Sequence, residues 1–178
     1  MSAPTAETGE SARTQVLHRP AGTGPITWAM GSLFEQLAGA PETGGSFGVS
    51  LVTQPPGTAT PFHVHSNEAE AFYLLDGTMT YRAGEEYFEL EAGSFLYLPQ
   101  NVPHAFRVTG TSPVRFLGWC VPGQLLSLYD EVGIPATQRR LPGPDGQPMD
   151  VEIARWNEVA PRYGLTVVGP PIPEGRTG

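Results

Sequence analysis

The sequence predicts an all-β domain, a sandwich or small barrel, followed by short helices near the C-terminus. Three observations carry that reading. Seven or more short runs alternate apolar with polar residues or gather β-branched and aromatic ones. Glycine (22) and proline (19) are abundant while charged residues make up only 16% of the 178-residue chain, a composition suited to many short strands joined by turns. Beyond Pro122-Gly123 the apolar spacing lengthens to that of a helix.

Taken in order, residues 1–12 are small, polar and acidic, and are expected to form a flexible arm. Residues 13–122 form the barrel. Its strands are expected over 15–18, 26–30, 47–52, 79–82, 86–90 and 114–120, besides those of the histidine-bearing segments below. Trp28 and Met30 share a strand face and are expected to plug one end. Residues 32–37 read as a brief helical turn and 40–45 as a loop. Ala83-Gly84-Glu85 has the chemistry of a hairpin turn. Residues 123–178 form a helical extension and tail packing on the barrel. Helices are expected over 124–132, ending at Gly133, and over 150–159 with Asp150 as N-cap, before a last strand within 164–171. No internal repeat is present, so the length fits one domain with its own core.

The net charge of −8 and the absence of a basic cluster argue against nucleic acid or an anionic membrane as partner. All ten basic residues are arginine. Arg82, Arg107 and Arg115 are expected to point outward into solvent. The single cysteine, Cys120, excludes an internal disulfide and is expected to be a small buried filler. Met1 to Glu7 lack the basic start and apolar run of a signal peptide, and no window is long enough to span a bilayer, so a cytoplasmic location is expected.

Chemistry concentrates in two segments. His63 and His65 stand two apart, so on a strand both rings face one side. Glu70 opens the next strand-like run and can reach the same point, and His104 follows a turn at residues 100–103. Three imidazoles and one carboxylate make a mixed N/O donor set suited to a divalent first-row transition ion: Fe, Ni, Mn, Co, Cu or Zn. Only four histidines occur in the chain, and three of them are here. The fourth, His18, lies in a polar stretch and reads as a surface residue. Glu68 is a rival carboxylate, but its position suggests exposure on the loop. Period two carries Phe72 and Leu74 inward with Glu70, and Phe106 and Val108 inward with His104. Either Phe116 or Trp119 reaches the same space, their opposite parities forbidding both from a regular strand. Such surroundings suit an aromatic or polycyclic substrate.

The spacing Gly57, His63, His65, Glu70, Gly77, and the later Gly93, Pro99, His104, resembles the paired motifs of the cupin superfamily. Asn101 replaces the usual turn glycine, which Asn tolerates through its access to left-handed backbone angles. Val108 stands where the pattern often has Asn. The resemblance implies a single jelly-roll β-barrel with a metal held by His63, His65, Glu70 and His104. One such motif pair followed by a Leu/Tyr-rich helical stretch, then Gly133-Ile134-Pro135 and later the Trp-Asn-Glu-Val-Ala-Pro-Arg-Tyr-Gly segment at 156–164, resembles the bacterial monocupin quercetin dioxygenases over roughly Gly44 to Pro171. That resemblance implies an oxidoreductase in which Glu70 is both ligand and base. The substrate would be an enolisable aromatic compound such as a flavonol or polyketide, and the strand periodicity above offers Phe72, Leu74, Phe106, Phe116 and Trp119 as the residues around it. Such enzymes cleave the heterocycle with dioxygen and release carbon monoxide. Two other readings share the ligand set: a non-oxidative cyclase, isomerase or decarboxylase, and a non-catalytic small-molecule binder. Cupin barrels commonly pair through strand edges and terminal arms, so a homodimer is expected.

Overall fold

Along the strand Gly48–Gln54, residues 48, 50, 52 and 54 are buried while 49, 51 and 53 are only partly so. This is the two-residue pleat of a sheet with one face against a core, and it governs most of the chain. The computed structural model describes residues 16–176. The expected arm at 1–12 therefore lies outside the described residues.

The elements are β1 (Ile26–Ala29), β2 (Ser32–Ala38), a one-turn helix α1 (Ala40–Thr43), β3 (Gly48–Gln54), β4 (Phe62–His65), β5 (Ala69–Asp76), β6 (Thr78–Ala83), β7 (Glu86–Glu91), β8 (Phe95–Leu98), β9 (His104–Val108) and β10 (Val114–Val121). A 3-10 turn (Gly123–Leu125) then leads into α2 (Leu126–Val132), followed by β11 (Ile134–Pro135) and α3 (Met149–Val159). A second 3-10 turn (Ala160–Tyr163) precedes β12 (Leu165–Gly169). Seven strands form one sheet in the order β11-β1-β2-β3-β10-β5-β8, and five form the other in the order β12-β4-β9-β6-β7. Every pairing is antiparallel. The two sheets enclose a core that includes Phe34, Val52, Phe72, Leu74, Met79, Tyr81, Phe106, Val108 and Phe116. The architecture is the expected β jelly roll with short C-terminal helices.

Several local expectations change. Residues 32–37 are strand, not a helical turn, because β2 lies between β1 and β3 and pairs with both. Its first four residues are all buried, which hides the alternation. Met30 lies in the β1–β2 turn, where it and Gly31 both adopt positive φ (51° and 68°), so it does not share the β1 face with the buried Trp28. The expected strand at 15–18 falls partly outside the described residues, and 16–20 carry no regular structure. Residues 40–43 form α1 instead of loop. Pro148, not Asp150, occupies the N-cap of α3, and Asp150 sits in its first turn. Residues after 122 do more than pack on the barrel: β11 extends one sheet and β12 the other.

Two turns hold as their residues dictate. Gly84-Glu85 closes the β6–β7 hairpin between the paired Ala83 and Glu86, with Gly84 at φ 58°. Gly77 combines φ 81° with close packing: a Cβ there would lie 2.9 Å from the Val114 Cα. Of the three strand arginines, only Arg115 is exposed. Arg107 is half-buried and donates to the carbonyls of Ile172 (2.7 Å) and Gly57 (3.2 Å), tying the tail to β9. Arg82 lies 4.1 Å over the Phe62 ring.

On the outer face of the larger sheet, Tyr73 pairs with Phe95, and Ala71 pairs with Tyr97. Phe95 is 63% and Tyr97 57% exposed, and β8 is the terminal strand of its sheet. A contiguous apolar surface thus runs into an unpaired strand edge, a liability that folded proteins usually cover. We propose that a second copy of the chain covers it, since a twofold pair satisfies face and edge with the same residues. Light scattering at micromolar concentration is expected to give twice the chain mass, and Tyr97→Glu to give the monomer. A monomeric wild-type chain would contradict the pairing.

Candidate metal centre

β4 carries His63 and His65 on one face, and both are buried. His104 opens β9, and the register sets it directly opposite His63. Glu70 is the second residue of β5, opposite Cys120 on β10 and Leu98 on β8. The turn before β9 is fixed by Asn101, which adopts φ 65° and donates its N–H to the His65 carbonyl (2.9 Å). That bond joins the two motif segments directly.

One donor atom from each of His63, His65, Glu70 and His104 falls within 4.8 Å of the others. Glu70 Oε2 lies 3.0 Å from His104 Nε2 and 3.3 Å from His65 Nε2. The outer nitrogens of two rings are held: Nδ1 of His63 by the Pro61 carbonyl (2.7 Å) and Nδ1 of His104 by the Val102 carbonyl (2.8 Å). A carbonyl only accepts, so both rings carry a proton on Nδ1 and turn Nε2 toward the centre. A contact of 3.0 Å between His104 Nε2 and Glu70 Oε2 needs a proton or a cation between the two atoms. The residues therefore fit a divalent metal ion.

Burial and mutual charge act differently on each member of the cluster. Burial, reinforced by the neighbouring His104, lowers the His63 pKa to about 4, so the ring is neutral at pH 7. For His65, burial also acts downward, but the carboxylates of Glu70 and Glu68 outweigh it and raise the pKa. For Glu70, burial acts upward, yet His65 and His104 overcome it and hold the carboxyl at about 2. Glu70 is thus ionised at neutral pH. Cys120 goes the other way: burial first, then Glu70, pushes its thiol up to about 12, so it stays protonated filler.

Glu68 departs from its expected exposure. It is only 2% exposed, and its Oε2 lies 3.8 Å from His65 Nδ1. Neither atom has a hydrogen-bond partner. Leaving such a group unpaired costs about 1–3 kcal/mol or more when it is charged. Ser66 and Asn67 are exposed, and that hid the inward turn of the next residue.

A cavity of about 470 Å³ opens from the cluster into the barrel. Phe72, Phe106 and Phe116 stand on its wall. Leu74, placed there by period two, is fully buried in the core cluster instead and lines no part of the cavity. Its register opposite Phe116 sets it two pleats beyond the level of Glu70. Phe116 and Trp119 divide as their parities require. Phe116 pairs with the inward residues Val52 and Leu74. Trp119 borders the cavity beside Gly118, but its pairing with Val49 and Ala71 turns its indole to the outer face.

The strand alternation did not reveal the wall that the C-terminal segment supplies. Met149, Ile153 and Trp156 of α3 and Leu165 of β12 close the space. Tyr129 of α2 also lines it and stacks on Phe34 with ring centroids 4.2 Å apart. Gln54, inward by the alternation of β3, lines the same cavity with an unpartnered buried Oε1.

Part of the chain is similar to known proteins. Residues 50–120 match the Cupin domain family. A quercetin 2,3-dioxygenase of Bacillus subtilis is 28% identical over 56% of this chain and 29% of its own length. An uncharacterized protein of Methanocaldococcus jannaschii is 32% identical over 35% of this chain and 50% of its own. The chain thus spans half or less of these relatives. Among solved structures, a predicted oxalate decarboxylase from Thermotoga maritima superposes with a TM-score of 0.54 at 18% identity, covering 60% of this chain and 99% of the other. A polyketide cyclase from Streptomyces resistomycificus gives 0.52 at 21% identity, covering 60% of this chain and 80% of the other. Residues 50–120, which hold the paired motifs and the converging His63, His65, Glu70 and His104 side chains, are thus similar to the Cupin domain family, and the jelly roll is the fold that these solved structures share.

Proposed function

We propose that the chain is a metal-dependent, quercetinase-like dioxygenase acting on an enolisable aromatic molecule such as a flavonol. The observation that carries this reading is an ionised carboxylate, Glu70, set among three imidazoles at the end of an apolar, aromatic-lined cavity. The likeness to the Bacillus quercetin dioxygenase supports the choice of substrate class. A divalent transition ion held by His63, His65, Glu70 and His104 would supply Lewis-acid activation of a substrate oxygen and a route for reaction with dioxygen.

The chain's own residues do the rest. Phe72, Phe106 and Phe116 offer flat apolar faces against which an aromatic ring packs and from which water is excluded. Glu70 Oε2 lies between the His65 and His104 rings, where an acidic enol hydroxyl can deliver its proton. His63 and His104 remain fixed by their carbonyl partners while that proton moves. Overall, both atoms of dioxygen enter the ring-opened product and one ring carbon leaves as carbon monoxide.

Purified protein is expected to carry about one divalent transition ion per chain, and His65→Ala to lose most of it in metal analysis. Full metal content in that variant would remove His65 from the ligand set. With a flavonol, oxygen uptake is expected to match carbon monoxide release. Product formation at the same rate without oxygen would favour a non-oxidative cupin. Glu70→Gln is expected to lower turnover per bound metal by about a hundredfold or more. The loss should be smallest for substrates already ionised at the assay pH. Near-normal turnover per metal would refute Glu70 as the base.

A further inference from the structure

His65 is set apart from the other two imidazoles of the centre. His63 and His104 each donate Nδ1–H to a backbone carbonyl two residues earlier in the chain, Pro61 and Val102. His65 has no such carbonyl: its Nδ1 is buried and unpartnered. The acceptor on that side is Glu68 Oε2, also buried and unpartnered, 3.8 Å away. Glu68 is 2% exposed on the short connection between β4 and β5, so water does not solvate its carboxylate. A carboxylate withdrawn from water is costly unless it receives a hydrogen bond or a positive charge.

We propose that Glu68 is the positioning residue of the metal centre, accepting the Nδ1–H of His65 when an ion is bound at Nε2. A metal at Nε2 obliges the ring proton to sit on Nδ1, and the gap to Glu68 closes through a small rotation of either side chain. The carboxylate draws that proton more strongly than a carbonyl does, so His65 becomes the most electron-rich of the three imidazoles. The centre is thereby asymmetric: two rings are oriented by backbone and one by a side chain that a single substitution can alter. Glu68 lies on the Nδ1 side of His65, whereas Glu70 lies on the Nε2 side, so Glu68 is not itself a ligand. The inference rests on the metal centre but not on the oxidative reaction.

Cobalt(II) is a suitable probe, since its visible absorption reports the ligand field and its affinity follows from competition with a chelator. Glu68→Gln, which keeps the volume and removes the charge, is expected to weaken cobalt binding about tenfold to a hundredfold. The visible bands should shift while three imidazoles stay bound. In the zinc-loaded wild type, a strongly downfield Nδ1–H proton resonance is expected, and Glu68→Gln should remove it. The zinc spectrum keeps the test open if the substitution alters folding, because wild-type protein alone must show the resonance. A folded Glu68→Gln protein that binds cobalt within twofold of wild type, with unchanged bands, would overturn the role of Glu68 and leave the centre intact. Wild-type protein that binds no cobalt would overturn both.

Discussion

The register that puts His63 opposite His104 is the constraint on which the rest depends. That pairing links strands from two distant segments, and side chains directly opposite on one face of a sheet come within contact distance. Here the two imidazole centroids lie 4.5 Å apart. One residue of slip would turn one of the two rings to the far face and dissolve the site. Asn101 guards against slip by bonding to the His65 carbonyl in a left-handed conformation, so the turn and the register are one device. From the other sheet, β5 brings Glu70 in between two of the rings. The centre therefore bridges both sheets of the jelly roll.

Packing this much polarity at one level of the barrel leaves the remaining space apolar. The cavity begins at the cluster and is bounded by inward residues of alternate strand positions, with α3 and β12 completing the wall. The C-terminal segment is consequently part of the site's enclosure. Its attachment is explicit: β12 pairs with β4, which carries His63 and His65, and Arg107 holds the tail through the Ile172 carbonyl. Glu152, buried on α3, accepts from the Gly31 N–H (3.2 Å) and pins the helix to the β1–β2 turn. Two of the candidate metal ligands and part of the cavity wall thus share one strand boundary, the β4–β12 seam.

Much of this was legible in the sequence because the chemistry is sparse. Few histidines, each at a strand-compatible spacing, and one carboxylate at motif distance leave little freedom. The hairpin at Gly84-Glu85 was legible for the same reason, since a two-residue loop needs a residue with positive φ. The misreadings share a physical cause, namely that one-dimensional periodicity does not reveal what covers a surface. Leu33, Phe34 and Leu37 have helical spacing, yet β2 pairs along both edges with β1 and β3, and both faces of its start are buried. Glu68 follows two exposed residues, and only the closure of β4 onto β5 shows that it turns inward. Trp119 needed the β3 and β5 registers to be assigned a face.

The most direct measurement is an X-ray absorption spectrum of the chain loaded with nickel(II). The scattering pattern of three coordinated imidazoles, with one protein carboxylate oxygen, is the expected result. A first shell with one imidazole or none, in folded protein, would contradict the assignment of His63, His65, Glu70 and His104 as a single metal centre.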